Sequence, residues 1–220
     1  LSIKEDGYDL HNPILVNEDL HIINGAHRLA CALYFGEPLI SIKIHKGLLP
    51  AKFGMNWFEE NGFLDNELST ISSLRKKIII DYNLYFQVIL WPPAAEFFDD
   101  IQSIISDRFT ILKDNNYIDM QDFQDYVRKI YKIDDIKEWK VDMKLKAMSS
   151  YNNHFRVIDI YVPHPKFRLK SNNKLISKVM EELKKEIRSK YAASISGYLH
   201  DIIIHIGDNY SHTEKTKDLI

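Results

Sequence analysis

A single cysteine, Cys31, is all that the 220 residues contain. That excludes an intrachain disulfide framework and fits a reducing compartment, so the cytoplasm is the expected location. No run of about eighteen apolar residues occurs, and no membrane is expected as a partner. The apolar clusters at 78–80 and 202–204 are only strand-sized or shorter. No signal peptide is visible in the opening residues, which show no charged segment followed by an apolar one. The chain starts on Leu1, and residues 211–220 read as a helix just beginning, with Ser211 or Thr213 as its cap. A piece of a longer protein is therefore expected. Charge of one sign is also missing: 29 Lys and Arg face 31 Asp and Glu, a formal net charge of −2. No global positive field draws the chain to nucleic acid, which is not an expected partner.

What is present suffices for one large domain or two small ones. Asn12-Pro13 signals a turn, Ile14–Val16 a short strand, and residues 20–23 its hairpin partner across a polar turn. Residues 26–35 have helix formers and apolar side chains at Leu29, Ala32, Leu33, Tyr34 and Phe35, and stop at Gly36. Ile40, Ile42 and Ile44 alternate with polar residues as in a half-buried strand. Helices broken near Asn61-Gly62 and Asn66 fill 55–80. The pattern then restarts, with no Gly/Ser-rich linker, as a buried strand at 85–91, a helix with Phe97, Ile101, Ile104 and Ile105 at helical spacing, and a short strand at 110–113. Helical spacing across 122–149, a strand at 155–163, a long helix at 175–191 and a last strand at 199–208 complete it. Trp91, at the end of its strand, reads as packing, and the charged run 181–190 as the wet face of a helix.

One stretch, LHIINGAHRLACALYFG at 20–36, concentrates chemistry. A strand that delivers Asn24-Gly25 straight into a helix leaves the first helical N–H groups without intrahelical partners, and such an end attracts anions. Gly25 permits the tight turn and a close ligand approach. His27 and Arg28 fall in the first turn, where cations oppose the helix dipole unless a negative charge compensates. A phosphate is the natural counterpart. The alternative is a turn glycine beside two solvated side chains.

The segment NPILVNEDLHIINGAHRLACALYFGEPLISIKI, from about Pro13 to Ile44, resembles the ParB/sulfiredoxin-like superfamily, in which strand, polar turn, strand, Gly-x-His-Arg turn, helix and Gly-ended loop follow in this order. The resemblance implies nucleotide phosphates held by Gly25, His27 and Arg28, with Asn24 adjoining. Asn24 stands where the small-molecule kinases of the superfamily typically have Asp, and an amide cannot take a proton from a hydroxyl near neutral pH. Ala26 stands where sulfiredoxins carry their nucleophilic Cys, which argues against sulfinic-acid reduction, and Cys31 reads as a small core residue. No helix-turn-helix module or strongly basic surface follows, as the DNA-partition members would require.

A second dense stretch holds His200, Asp201, His205, Asp208, Asn209 and His212. On a strand over 200–206, Asp201 and His205 share a face but lie about 13 Å apart, too far to hold one metal together. Asp208 and His212 are better placed, at a strand end where α/β sheets present ligand groups. The Asp208 carboxylate suits Mg²⁺ carrying nucleotide phosphates, and His212 an acid or base; the alternative is turn chemistry with Ser211 or Thr213 capping the next helix. His164, Lys166, Arg168 and Lys170 form a positive loop suited to an acidic substrate, or a solvated turn.

These readings converge on a mixed α/β (α+β) fold, a ParB/sulfiredoxin-like nucleotide-binding domain over 1–82 followed by a larger mixed α/β domain over 83–220. The expected function is a nucleotide-dependent phosphotransferase, a small-molecule kinase using ATP or another nucleoside triphosphate with Mg²⁺ and a small-molecule substrate. Asn24, Gly25, His27 and Arg28 would bind the nucleotide, Asp208 and His27 serve catalysis, and Asp208 hold the metal. The alternatives are a non-catalytic nucleotide-binding module and a transferase whose active site lies in the C-terminal unit.

Overall fold

The polar turn after Val16 folds as its composition dictates. Asn17 is buried, and its Oδ1 accepts hydrogen bonds from the backbone N–H groups of Asp19 (3.1 Å) and His21 (2.8 Å). This Asx turn, closed by Leu20 at φ 63°, joins β1 (Ile14–Val16) to β2 (Ile22–Asn24) as an antiparallel hairpin. The computed structural model describes residues 2–37, 39–48, 54–171, 174–198 and 201–220. Its fold is mixed α+β, in two units: Leu1–Ser72 with Lys166–Arg168, and Ser73–Pro165 with Leu169–Ile220. The division falls inside a helix, α4, rather than at 82/83.

In the first unit, α1 (Ser2–Asp6) precedes the hairpin, and α2 (Ala26–Phe35) starts on Gly25 and stops on Gly36, whose N–H bonds back to Ala32 and Leu33 carbonyls. Both glycines have positive φ, 98° and 71°, which a side chain would strain. β3 (Ile42–Ile44) then pairs parallel to β1, giving the sheet order β2-β1-β3. Little of this is buried. Ile14, Val16 and Ala32 are covered, whereas Leu33, Tyr34 and Phe35 are exposed, and so is Cys31, contrary to its expected place in a core. Helices α3 (Met55–Glu60) and α4 (Asp65–Asp81) follow, broken at Asn61-Gly62 as expected, whereas Asn66, the other expected break, lies in the first turn of α4.

The second unit is built on β4 (Phe86–Leu90), buried at every position. Along the chain then come α5 (Phe98–Ser106), β5 (Thr110–Tyr117), α6 (Phe123–Ile133), α7 (Glu138–Met148), β6 (Phe155–Tyr161), the short strands β7 (Phe167–Leu169), whose first two residues are grouped with the first unit, and β8 (Leu175–Ser177), α8 (Lys178–Tyr191), β9 (Ile204–Ile206) and α9 (Tyr210–Thr216). The sheet order is β5-β6-β4-β9 with every neighbouring pair antiparallel, so β6 slots between β4 and β5. Register sets the faces. Gln87 pairs with Asp159 and Asp159 with Lys113, while Ile89 lies opposite both Val157 and His205. Phe86, Val88, Leu90, Ile158, Ile160, Ile204 and Ile206 fill the other face, and the buried stripes of α5 and α8 add to the core.

Trp91 has no exposed surface, as its packing role predicts. Its Nε1 donates to the Tyr131 hydroxyl at 3.0 Å, and the rings of Phe123, Tyr126, Tyr131, Phe155 and His205 stand between 6.0 and 6.5 Å away. The last strand is shorter than its apolar run suggests. Asp201 sits in a turn at φ 59°, and only 204–206 join the sheet, so the alternation expected over 200–206 does not hold and Ile202, Ile203 and Ile204 are all buried. β5 runs to Tyr117, beyond the expected four residues, with a register irregularity between Ile111 and Lys113.

Candidate functional site

Two places collect the residues that the sequence singles out, one in each unit. In the second unit, β9 carries His205 on the face opposite its apolar neighbours, and the chain leaves β9 through Gly207, Asp208 and Asn209 into α9. Asn209, not Ser211 or Thr213, is the N-cap residue; Thr213 lies inside the helix and its hydroxyl donates to the Tyr85 carbonyl at 2.8 Å. Gly207 has to be a glycine, because a Cβ there would stand 2.5 Å from the Cβ of His212. The loop thus closes tightly over His212.

His212 is buried, with Nδ1 2.9 Å from Asp134 Oδ1 and 3.3 Å from the Asp208 backbone N. One nitrogen can donate to that carboxylate or accept from that amide, not both. Asp134 is the C-cap of α6, where a helix end favours positive charge beside it. Burial would raise its pKa, but the His212 hydrogen bond and the fields of His205 and His212 outweigh that and hold it below the ordinary 3.8. His205, almost fully buried, has Nδ1 3.6 Å from Asp134 Oδ2, and burial drives its pKa down to about 4 despite that neighbour. His205 is therefore neutral at pH 7, and the depression of Asp134 rests on His212. Asp134 Oδ1 is buried, and the approach of His212 Nδ1 to it at 2.9 Å is poorly aligned, since that nitrogen also faces the Asp208 N–H.

Asp208 completes the cluster. Lys174 Nζ lies 2.7 Å from one carboxylate oxygen and Lys184 Nζ 3.2 Å from the other, and Lys184 also donates to the Ile206 carbonyl at 3.0 Å. Burial raises Asp208, but the two ammonium groups prevail and bring it down to about 2. It is an ionised carboxylate throughout the neutral range and a weak proton acceptor. One ligand atom each from Asp134, Asp208 and His212 lies within 4.8 Å of the others, a set of two carboxylates and one imidazole that fits a divalent cation. Both lysines already pair with Asp208, so a cation bound there competes with two ammonium groups.

Asp134, Lys174 and Lys184 escape a reading of the sequence. Lys184 and Arg188 belong to the run taken as a wet helix face, yet both are only partly exposed, and Arg188 donates to the Ile204 carbonyl at 3.0 Å. Their spacing of four, flanked by buried Leu183 and Ile187, is the signal that marks that side of α8 as inward. Asp201 is bound instead by Arg188, at 3.3 Å, and Tyr198. His200 lies outside the described residues.

In the first unit, the strand, Gly25 and helix occur in the expected order. α2 has no side-chain cap at Gly25 and no acidic residue in its first turn, so its leading N–H groups and dipole have no built-in counter-charge. Arg28 folds back over the turn: Nη1 donates to the Asn12 carbonyl at 2.9 Å and to Asn12 Oδ1, and Nη2 would be 3.0 Å from a Cβ on Gly25. His27 and Asn24 are exposed, with Asn24 opposite Leu15 at the end of β2. The turn can receive an anion; among the described residues it holds no carboxylate–imidazole pair like His212 and Asp134 in the second unit.

No protein-family model matches the chain, and a search of curated proteins finds no relative. No helix among the described residues is long and apolar enough to cross a membrane.

Proposed function

We infer that the protein is a nucleotide-dependent phosphotransferase acting on a small hydroxyl compound, with its phosphoryl-transfer chemistry in the second unit, while Asn24, Gly25, His27 and Arg28 in the first unit recognise nucleotide phosphate in their own right. The observation that carries this reading is the His212–Asp134 pair enclosed with Asp208, Lys174 and Lys184. An imidazole whose Nδ1–H is held by a carboxylate presents Nε2 as a base, and an ionised Asp134 stabilises the imidazolium that results. His212 would take the proton of the acceptor hydroxyl as its oxygen attacks the γ-phosphorus, and the bond to the β–γ bridging oxygen would break to release the nucleoside diphosphate. Lys174 and Lys184 supply the positive charge that phosphoryl transfer needs at the equatorial oxygens. Mg²⁺, held by Asp208 with Asp134, would neutralise further phosphate charge when bound. The role expected of Asp208 is thereby narrowed from base to charge anchor. His27, an exposed imidazole on the anion-binding turn, is assigned to phosphate contact.

A reducing compartment, the cytoplasm, suits the exposed Cys31 thiol, and neither nucleic acid nor membrane is a partner in this reading. The test is phosphate transfer from γ-labelled ATP, with Mg²⁺, to a panel of small alcohols and amino acids. Acceptor-dependent ADP release that His212→Ala and Asp134→Asn abolish supports the kinase. Tight nucleotide binding without turnover by any acceptor would instead leave a nucleotide-gated module, and unchanged nucleotide affinity in Arg28→Ala would remove the first-unit turn from the assignment.

A further inference from the structure

The sheet face that carries His205 ends, at its other side, in a polar row that the phosphotransferase reading does not use. Lys113, Asp159 and Gln87 lie side by side on β5, β6 and β4, in register, immediately beyond the irregularity in β5. They open onto a cavity of about 360 Å³ whose walls include Tyr85, Tyr117 and Leu112. That volume suits a small molecule, and the mixture of apolar wall and a few convergent polar groups is typical of ligand pockets.

Lys217 and Asp218 also line the cavity, with Lys217 Nζ donating to Asn83 Oδ1 at 3.1 Å, and among the described residues the end at Gln87 and Asp159 is short of donors. Gln87 is more than nine-tenths buried; its Nε2 donates to Asp159 Oδ1 at 3.3 Å, and its Oε1 is buried with no partner. Amide orientation is fixed by that bond, because the reverse placement would set two oxygens against each other. Asp159 accepts this one side-chain hydrogen bond and forms no salt bridge among the described residues, although Lys113 acts on it from a distance. A buried amide oxygen without a donor is destabilising, and beside it lies a carboxylate with spare lone pairs. Both shortages are met by one group with several N–H donors and a positive charge. Tyr85 and Tyr117 add aromatic rings that attract a cation.

We propose that this cavity binds a small organic primary ammonium, its N–H donors on Gln87 Oε1 and the Asp159 carboxylate and its apolar remainder against Leu112 and the tyrosine rings. Lys113, exposed and on the same row, opposes the ligand's charge and weakens its hold. The site is separate from the assigned phosphoryl chemistry and needs no nucleotide.

The probe is n-butylammonium, titrated into the full chain without nucleotide and followed by calorimetry or amide chemical shifts, with n-butanol, butyrate and cytidine as comparisons. Saturable one-to-one binding of butylammonium alone is expected. Asp159→Asn should weaken it about tenfold or more, the size of a lost charged hydrogen bond. Lys113→Met, a surface change that leaves the fold intact, should tighten it several-fold. No saturable binding, equal binding of butanol or butyrate, preference for cytidine, or Lys113→Met weakening the complex would each overturn the proposal, whatever the fate of the kinase assay.

Discussion

The two units answer the same electrostatic problem in opposite ways. In the first, half-buried Arg28 and the open end of α2 lie over a core whose buried apolar residues are few, and among the described residues no acidic group pairs with them. In the second, charges are drawn inward and matched: Asp134 with His212, Asp208 with Lys174 and Lys184, beside a core of packed aromatic rings. A partly exposed cation without a charged partner is open to ligand and adds little to stability. A buried, matched cluster ties chemistry to folding, so its disruption costs both.

Breaking the second unit's side of this contrast should have the largest effect. Trp91→Ala removes the central ring and the partner of the Tyr131 hydroxyl, and should destabilise the second unit by roughly 3–5 kcal/mol in urea unfolding. Nucleotide affinity measured on protein still folded should be unchanged. A drop in both would tie the turn to the second core and erase the contrast. Gly207→Ala drives a methyl into His212 and should cost about 1–3 kcal/mol and most of the turnover; normal turnover would show that His212 need not stand where it does.

Acid should separate the cluster's members by pH. His205 has a folded pKa depressed to about 4 from 6.5, so the unfolded chain gains its proton first, and the stability held by neutral His205 is full above about pH 6.5 and lost as pH falls towards 4. The loss reaches about 3 kcal/mol, and His205→Phe should flatten that part of a urea-midpoint profile. Asp208, depressed to about 2 from 3.8, contributes stability that is present above 3.8 and disappears only below it. A profile without slope between pH 6.5 and 4 would mean that His205 is not buried neutral.

Least costly is the first unit's turn. Gly25→Ala forces a side chain to φ 98° and against Ile14 Cδ1 at 2.9 Å, about 1–2 kcal/mol. Arg28→Ala should leave the unfolding midpoint in place and lower nucleotide affinity about tenfold. If it instead costs more stability than Gly25→Ala, the arginine is structural, a brace to Asn12.

The sequence read best where structure is local. Gly25 and Gly36 bracket α2, and Asn61-Gly62 breaks the helices, because those outcomes follow from φ preferences and capping within a few residues. Asp208 and His212 could be paired by sequence because four residues separate them. Asp134 could not: it reaches His212 only because α6 and α9 meet, a matter of packing that no spacing encodes. Lys184 was hidden by its neighbours, since a helix face crowded with charge looks wet until β9 is laid beside it. The apolar run at 202–204 misled for a related reason: burial on all sides suppresses the alternation by which a strand is recognised.

The row of Lys113, Asp114, Asn115 and Asn116 on β5 has one more consequence. β5 is the outermost strand of its sheet, an eight-residue edge long enough to recruit a strand from another molecule. Its charged and amide side chains and its broken register are the features that discourage such templating, and the opposite edge, β9, is only three residues long. The same polar stretch that shapes a cavity on one side therefore guards the protein against fibre growth, and replacing it with β-branched apolar residues would exchange solubility for sheet-to-sheet assembly.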